Sequence, residues 1–125
     1  VWGSLVERAQ RGEFQITLQS WTLDWPDAAM LFALFWSGNA GTDANLSQFR
    51  DPRFDADWEA LQRCADPILR AELCVRLAGI LAERVPAMPI DHRLGYLLIQ
   101  PGVAGATGHT FDPIACKFVR LAASR

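Results

Sequence analysis

Residues 51–86 read DPRFDADWEALQRCADPILRAELCVRLAGILAERVP and contain two helical patterns, each introduced by Asp-Pro. Aspartate followed by proline is typical of a helix start, because aspartate caps free N–H groups and proline fits the first turn. Because the connecting segment is short, we expect an antiparallel hairpin that ends at Val85-Pro86. On the outer face of the second helix, Glu72 and Arg76 lie four apart, which predicts an ion pair. Apolar residues recur at helical spacing in both patterns, at Phe54, Trp58, Leu61, Leu69, Leu73 and Leu77.

Three elements are predicted upstream of this hairpin. A capping-box spacing, Ser4 to Glu7, indicates a short helix over residues 4–11. In FQITLQ, residues 14–19, apolar and polar side chains alternate, which predicts a strand with one buried face. Pro26 fits the first turn of a further helix, over residues 27–36. The stretch after that helix, residues 37–50, is rich in glycine and asparagine and indicates a surface loop.

Downstream of the hairpin the sequence predicts short extended segments at residues 88–92 and 95–99, and a last strand at residues 116–121. The glycines at 102, 105 and 108 do not open a strand-to-helix unit, so they indicate turns rather than a phosphate-binding loop. Strands and helices mixed in this order predict an α/β or α+β fold.

The composition argues against nucleic-acid binding and against a membrane-spanning segment. The chain has 125 residues, half of them hydrophobic, which suits a single globular domain. Its formal net charge of −2 and its single lysine, Lys117, leave no basic stripe for phosphates, so we expect no nucleic-acid partner. No apolar run reaches the ~18–20 residues needed to cross a bilayer.

Cysteine and histidine do not form a recognisable catalytic or metal pattern. Cys64, Cys74 and Cys116 match neither a CxxC pair nor a zinc spacing, and we expect buried free thiols. His92 and His109 lie in no motif that would make a triad. A hydrolase using Cys74 and His92 is a poor alternative, since Cys74 falls inside a helical pattern. We therefore predict no enzyme activity, no metal site and no cofactor.

Asp24 lies between Trp21 and Trp25, where a carboxylate needs a cation or N–H donors to compensate for lost hydration. One partner is the N-terminus of the helix that follows Pro26, although Asp27 would serve that helix equally well. The other is the ammonium group of a ligand, at the strand end where α/β folds commonly bind ligands. The residues alone leave both interpretations open.

The order and spacing of several motifs resemble the C-terminal part of the extracytoplasmic solute-binding proteins of peptide-type ABC importers, the dipeptide and oligopeptide family (family 5). The resemblance covers nearly the whole chain, and each motif is weak by itself. The motifs are GEF at 12–14, WTLDWPD at 21–27, FRDPRFD at 49–55, DPILR at 66–70, ERVPAMPI at 83–90, HRLGY at 92–96 and QPGV at 100–103.

The resemblance implies an α/β fold that is part of one lobe of a two-lobed periplasmic-binding-protein fold, with a mixed sheet flanked by helices. Residues 1–104 would be the C-terminal portion of the second lobe, and residues 105–125 a return segment toward the first. We expect a piece of a longer, periplasmic or extracytoplasmic protein. It would deliver a solute to a membrane ABC permease, and an apolar surface meant for the other lobe predicts self-association.

The resemblance also implies a ligand site. The family aspartate three residues after a tryptophan pairs with the α-ammonium of a peptide, and this position is Asp24, after Trp21. Trp2 resembles a second aromatic of the pocket wall. The expected ligand is a short peptide or similar amine, although members of this fold also carry nickel chelates, haem, opines or sugars. An alternative with the same fold is the solute-sensing domain of a cytoplasmic transcription regulator.

Overall fold

The computed structural model describes residues 2–92, 94–106 and 118–121, and the chain divides into two compact units, residues 1–89 and 90–125. The second unit contains a two-residue antiparallel pair in which β1 (Val103–Ala104) faces β2 (Arg120–Leu121). None of the helices described is both long and apolar enough to cross a membrane. The first unit contains α1 (Trp2–Gln10), α2 (Ala28–Ala33), a 3₁₀ turn (Ser37–Asn39), α3 (Pro52–Arg63) and α4 (Pro67–Arg84).

Helices α3 and α4 form the predicted antiparallel hairpin. At one end, Arg70 near the start of α4 donates to the carbonyl oxygen of Leu61 near the end of α3, at 2.8 Å. At the other end, Arg84 in the last turn of α4 donates to the carboxylate of Asp51, at 3.1 Å. Both Asp-Pro starts behave as predicted, because Asp51 and Asp66 each cap their helix through the side chain. The hairpin is thus confirmed.

The core of the first unit is the inner face of this hairpin, covered by α2. The rings of Phe32, Phe35 and Phe49 each meet the ring of Phe54 edge to face, at centroid distances of 5.6–6.4 Å. Such pairs add to the free energy gained by burying the rings, since a ring edge is attracted to a neighbouring face. The buried core residues are Phe32, Phe54, Leu61, Leu73 and Leu77.

The loop after α2 is built around Asn45, which has no exposed surface. Its amide group donates to the carbonyl oxygens of Trp36 and Phe49, both at 3.0 Å. Its carbonyl oxygen accepts hydrogen bonds from the Ser47 hydroxyl and from the Phe49 N–H. Trp36 stacks on Trp58 of α3 at a centroid distance of 4.6 Å. The buried amide of Asn45 therefore holds the predicted surface loop together, and the indole pair anchors the loop to α3.

Two local predictions are wrong in detail. Arg76 does not pair with Glu72 but binds Asp57 of α3, with its Nε at 3.0 Å from the carboxylate, because α3 brings a less exposed carboxylate within reach. Helix α2 begins at Ala28 with Asp27 as its cap, so Pro26 precedes the helix, and it ends at Ala33 rather than residue 36. The first helix is confirmed and starts two residues early, at Trp2.

The strand predicted at residues 14–19 is wrong for the described chain, where these residues are irregular. A strand needs a neighbouring strand to pair its N–H and C=O groups, and no described residue supplies one. Residues 88–92 and 95–99 also form no strand. Of the last strand predicted at residues 116–121, Arg120–Leu121 forms β2, whereas residues 116 and 117 lie outside the described residues. The described fold is helix-rich with one small antiparallel sheet, so the predicted mixed sheet is absent from it.

Asp51 links the ends of the hairpin and makes the stability of the first unit depend on pH. The Arg53 guanidinium bound to it, with the Arg53 N–H and Arg84, holds the pKa of the buried Asp51 carboxyl well below its usual range, although burial opposes this. A carboxyl with a lowered folded pKa stabilises the fold above its ordinary pKa of about 4 and loses that contribution as the pH falls.

We therefore predict that the free energy of unfolding falls as the pH is lowered from about 5 to about 2, because Asp51 takes up a proton there in the unfolded chain but stays charged in the folded one. Asp51→Asn keeps a capping side chain but removes the titrating group, so it should flatten this part of the profile. Urea denaturation followed by tryptophan fluorescence at each pH measures the effect. Asp43→Asn, at an exposed loop aspartate, is the matched control and should leave the profile as steep as in the wild type.

Candidate functional site

The segment between α1 and α2 carries the predicted ligand-binding aspartate and two tryptophans. It ends at Asp27, whose carboxylate accepts a hydrogen bond from the Ala29 N–H at 2.8 Å and so caps α2. The same carboxylate accepts two hydrogen bonds from Nη2 of Arg70, at 2.8 and 3.0 Å. Of the two aspartates that could cap the N-terminus of α2, Asp24 and Asp27, it is therefore Asp27 that does so.

Asp24 is left without such a contact. It lies in an exposed bend three residues before Asp27. Its carboxylate forms no hydrogen bond or ion pair with any residue that the structure describes. The helix-terminus interpretation of Asp24 is therefore wrong, because the capping position is occupied by Asp27. The Asp24 carboxylate, which can only accept hydrogen bonds, is therefore accessible to a cation from solution.

The tryptophans of the chain fall into two groups. Trp36 and Trp58 stack on each other, and the Trp58 N–H donates to the Ala29 carbonyl oxygen, so both hold the fold together. In contrast, Trp2, Trp21 and Trp25 are 68%, 48% and 55% exposed. None of these three makes a ring contact with a described residue. Exposed indoles without a structural partner are typical of surfaces that bind a ligand or another protein.

The chain itself brings Trp21, Asp24 and Trp25 within five residues of one another, on one exposed segment. Trp25 was not among the predicted site residues, although its adjacency to Asp24 was a signal for it. Trp2 lies in the first turn of α1, and no hydrogen bond or ring contact joins it to the others. Trp21, Asp24 and Trp25 thus share one exposed segment, whereas Trp2 lies on a different element.

A separate groove of about 520 Å³ lies along the outer side of α3 and α4, and none of the predicted site residues lines it. Its charged residues neutralise one another: Arg76 binds Asp57, and Arg53 binds Glu83. The groove therefore has no free charge of either sign to select a ligand.

Within the described ranges, no group of three or more histidine, cysteine or acidic side chains could hold a metal ion. Cys64 and Cys74 are free thiols packed against the core, half-buried rather than buried, and His92 is exposed. Cys116 and His109 lie outside the described residues.

Comparison with known proteins finds two relatives from Haemophilus influenzae. One, named as a candidate binding protein, is 25% identical over 116 residues, which is 93% of this chain and 22% of that protein. The other, named heme-binding protein A, is 28% identical over 105 residues, 83% of this chain and 19% of that protein. No family model and no solved structure matches the chain. The chain spans about a fifth of both relatives, and it is a distant relative of proteins named for binding.

Proposed function

We propose that the chain is part of the solute-binding component of an ABC importer, and that it binds the ammonium group of a short peptide or similar amine. The observation that carries the proposal is the exposed carboxylate of Asp24, which has no partner among the described residues and lies between two exposed indoles in the sequence. The names of both relatives support binding of a solute, which favours transport over transcriptional regulation.

In this proposal Asp24 accepts a charge-assisted hydrogen bond from the ligand ammonium, and Trp21 covers the adjacent apolar part of the ligand. Indole faces also attract cations directly, by about 0.5–2 kcal/mol depending on how much water is excluded. Trp2 is the third proposed contact, supplied from α1.

An ion pair that stays in water contributes only about 0–1 kcal/mol, so the open surface alone predicts weak binding. The same pair becomes stronger when a second surface covers it and lowers the local dielectric constant. Both relatives are about four times as long as this chain, and a two-lobed protein of that size would supply such a cover. We therefore propose delivery to a membrane permease by the longer, extracytoplasmic protein.

Haem is the competing ligand, since one relative is named for it. Haem-iron is usually held by histidine, cysteine, methionine or tyrosine, and residues 2–27 contain none of these. The carboxylates of haem would also be repelled by Asp24. An amine therefore fits this segment better than haem does.

The test is an NMR titration of the chain with a short peptide that has a free amino terminus, followed through the indole N–H signals. We expect the signals of Trp21 and Trp25 to shift, while those of the stacked Trp36 and Trp58 stay in place. Asp24→Asn should weaken binding about 2- to 5-fold, because an ion pair that stays in water contributes up to about 1 kcal/mol.

The controls separate the ammonium from the rest of the ligand. The amino-acetylated peptide should bind the wild type and Asp24→Asn equally weakly, and Asp43→Asn should bind the free peptide like the wild type. Equal affinity of wild type and Asp24→Asn for the free peptide contradicts the proposal. If haemin binds more tightly than the peptide and shifts the same indole signals, the ligand is haem and not an amine.

A further inference from the structure

Arg70 of α4 is the least exposed of the arginines that form ion pairs in the described part of the chain, since its side chain is only 28% exposed. The other arginines in such pairs are each more than half exposed. An ion pair that is partly shielded from water is stronger than one on the open surface, for which about 0–1 kcal/mol is typical. The bond from Arg70 to Asp27 therefore ties the start of α2 firmly to α4.

The guanidinium that binds Asp27 is itself held in place. While Nη2 binds Asp27, the other terminal nitrogen, Nη1, donates to the carbonyl oxygens of Leu61 and Cys64, at 2.8 and 3.2 Å. Because the guanidinium is planar and rigid, bonds at both nitrogens fix its orientation. Arg70 thus sets the position of Asp27 and does not merely follow it.

The backbone between Asp27 and the proposed ammonium-binding aspartate, Asp24, is restrained as well. The Asp27 N–H donates to the Trp25 carbonyl oxygen at 2.9 Å, which closes a three-residue turn around Pro26. The proline ring fixes φ of Pro26, and it disfavours the helical region for the preceding residue, Trp25. Asp27 itself is extended, with φ −133° and ψ 129°. A stiff link therefore joins Asp24 to Asp27.

We propose that Arg70 is the positioning residue of the ammonium site. Through Asp27 it sets the place and direction in which the Asp24 carboxylate meets the ligand, and Arg70 itself does not contact the ligand. A carboxylate that is already held in place loses less conformational freedom on binding, and this pre-organisation increases affinity. The inference rests on the proposed function, because it concerns the same site.

The test measures the ratio of the affinities for the free and the amino-acetylated peptide by NMR titration, since this ratio depends on the ammonium contact. It should be about 2 to 5 in the wild type and close to 1 in Asp24→Asn. Arg70→Met and Asp27→Asn should each lower it to about 1. Asparagine still caps α2, so Asp27→Asn gives the answer even where Arg70→Met does not fold. Unchanged indole signals of Trp36 and Trp58 identify the variants that are folded.

Effects other than positioning change this ratio differently. If Arg70 and Asp27 acted on the ligand only through their charges, removing the positive charge of Arg70 would raise the ratio, whereas removing the negative charge of Asp27 would lower it. A general loss of structure would weaken the binding of both peptides alike. Only positioning lowers the ratio in both variants.

Two variants serve as matched controls and should keep the wild-type ratio. Asp66→Asn makes the same change at the cap of α4, where the aspartate has no arginine partner among the described residues, and Arg63→Met removes an exposed arginine. Adding Asp24→Asn to Asp27→Asn should lower the affinity for the free peptide no further.

A wild-type ratio in folded Arg70→Met or in Asp27→Asn overturns the inference. So does a further loss in the double variant that equals the loss caused by Asp24→Asn alone, or a ratio close to 1 in Asp66→Asn. A ratio close to 1 in the wild type contradicts the proposed function itself, and the inference with it.

Discussion

Arg70→Met is expected to lower the free energy of unfolding of the first unit by about 2–4 kcal/mol, the cost of leaving partners of a half-buried ion pair unsatisfied. Arg70 of α4 contacts two other elements at once. It binds both carboxylate oxygens of Asp27 at the start of α2, and it donates to the carbonyl oxygens of Leu61 and Cys64 at the end of α3. Because methionine keeps most of the apolar part of the arginine side chain, the loss of stability measures the contribution of the guanidinium group.

Urea denaturation with tryptophan fluorescence measures this loss. Arg63→Met is the matched control, because Arg63 is exposed and its ion pair with Glu59 on the same helix contributes only about 0.3–0.5 kcal/mol. Arg70→Lys should lie between the wild type and Arg70→Met, since an ammonium keeps the charge but not the planar fork that binds carboxylate and carbonyls together. An Arg70→Met variant as stable as Arg63→Met would show that these bonds do not hold α2 to the hairpin.

The helix hairpin was predictable because its signals are local. Asp-Pro starts, apolar spacing and the Val85-Pro86 end act within a few residues, and α4 indeed stops at Val85, in the left-handed conformation with φ 48°. The contacts that join elements were not predictable in this way. Arg76 binds Asp57, 19 residues away, rather than Glu72 on its own helix. The spacing of residues along one helix carries no information about which side chains a neighbouring helix supplies.

The predicted strand failed for a related reason. The alternation of apolar and polar side chains in residues 14–19 indicates that the segment could join a sheet. A sheet forms, however, only where a second strand supplies hydrogen-bond partners for the backbone. For the site, the sequence placed two aspartates near one helix start without deciding which would cap it. The structure assigns the cap to Asp27 and leaves Asp24 free, whereas the roles of Asp24, Trp21 and Trp2 in binding stay predictions.

Asn45→Ala is expected to destabilise the first unit by about 2–4 kcal/mol, since it removes several part-buried hydrogen bonds to the backbone and leaves the Phe49 carbonyl oxygen without its donor. The Phe49 carbonyl oxygen loses its donor, the Trp36 carbonyl oxygen keeps only its bond from the Asn39 N–H, and the Phe49 N–H loses one of its two acceptors. Because the loop that Asn45 holds carries Trp36, we also expect the stack of Trp36 on Trp58 to loosen, with a change in near-ultraviolet circular dichroism. Ser47→Ala, which removes only the hydroxyl bonded to Asn45, should cost about 0.5–1.5 kcal/mol.

Asn45→Asp tests the direction of these bonds, because it keeps the shape and the acceptor oxygen but replaces the donating NH₂ by a second oxygen. Two carbonyl oxygens then face a buried carboxylate, which raises the pKa of the introduced carboxyl above the ordinary value of about 4. A raised folded pKa means that the protonated form fits better, so the variant should lose about 1.4 kcal/mol of stability per pH unit as the pH rises from about 4, the unfolded pKa, to the raised folded pKa. Chemical denaturation at pH 5 and pH 8 measures this slope. A variant with the same stability at both values would show that the side-chain amide of Asn45 is not the donor that holds the loop.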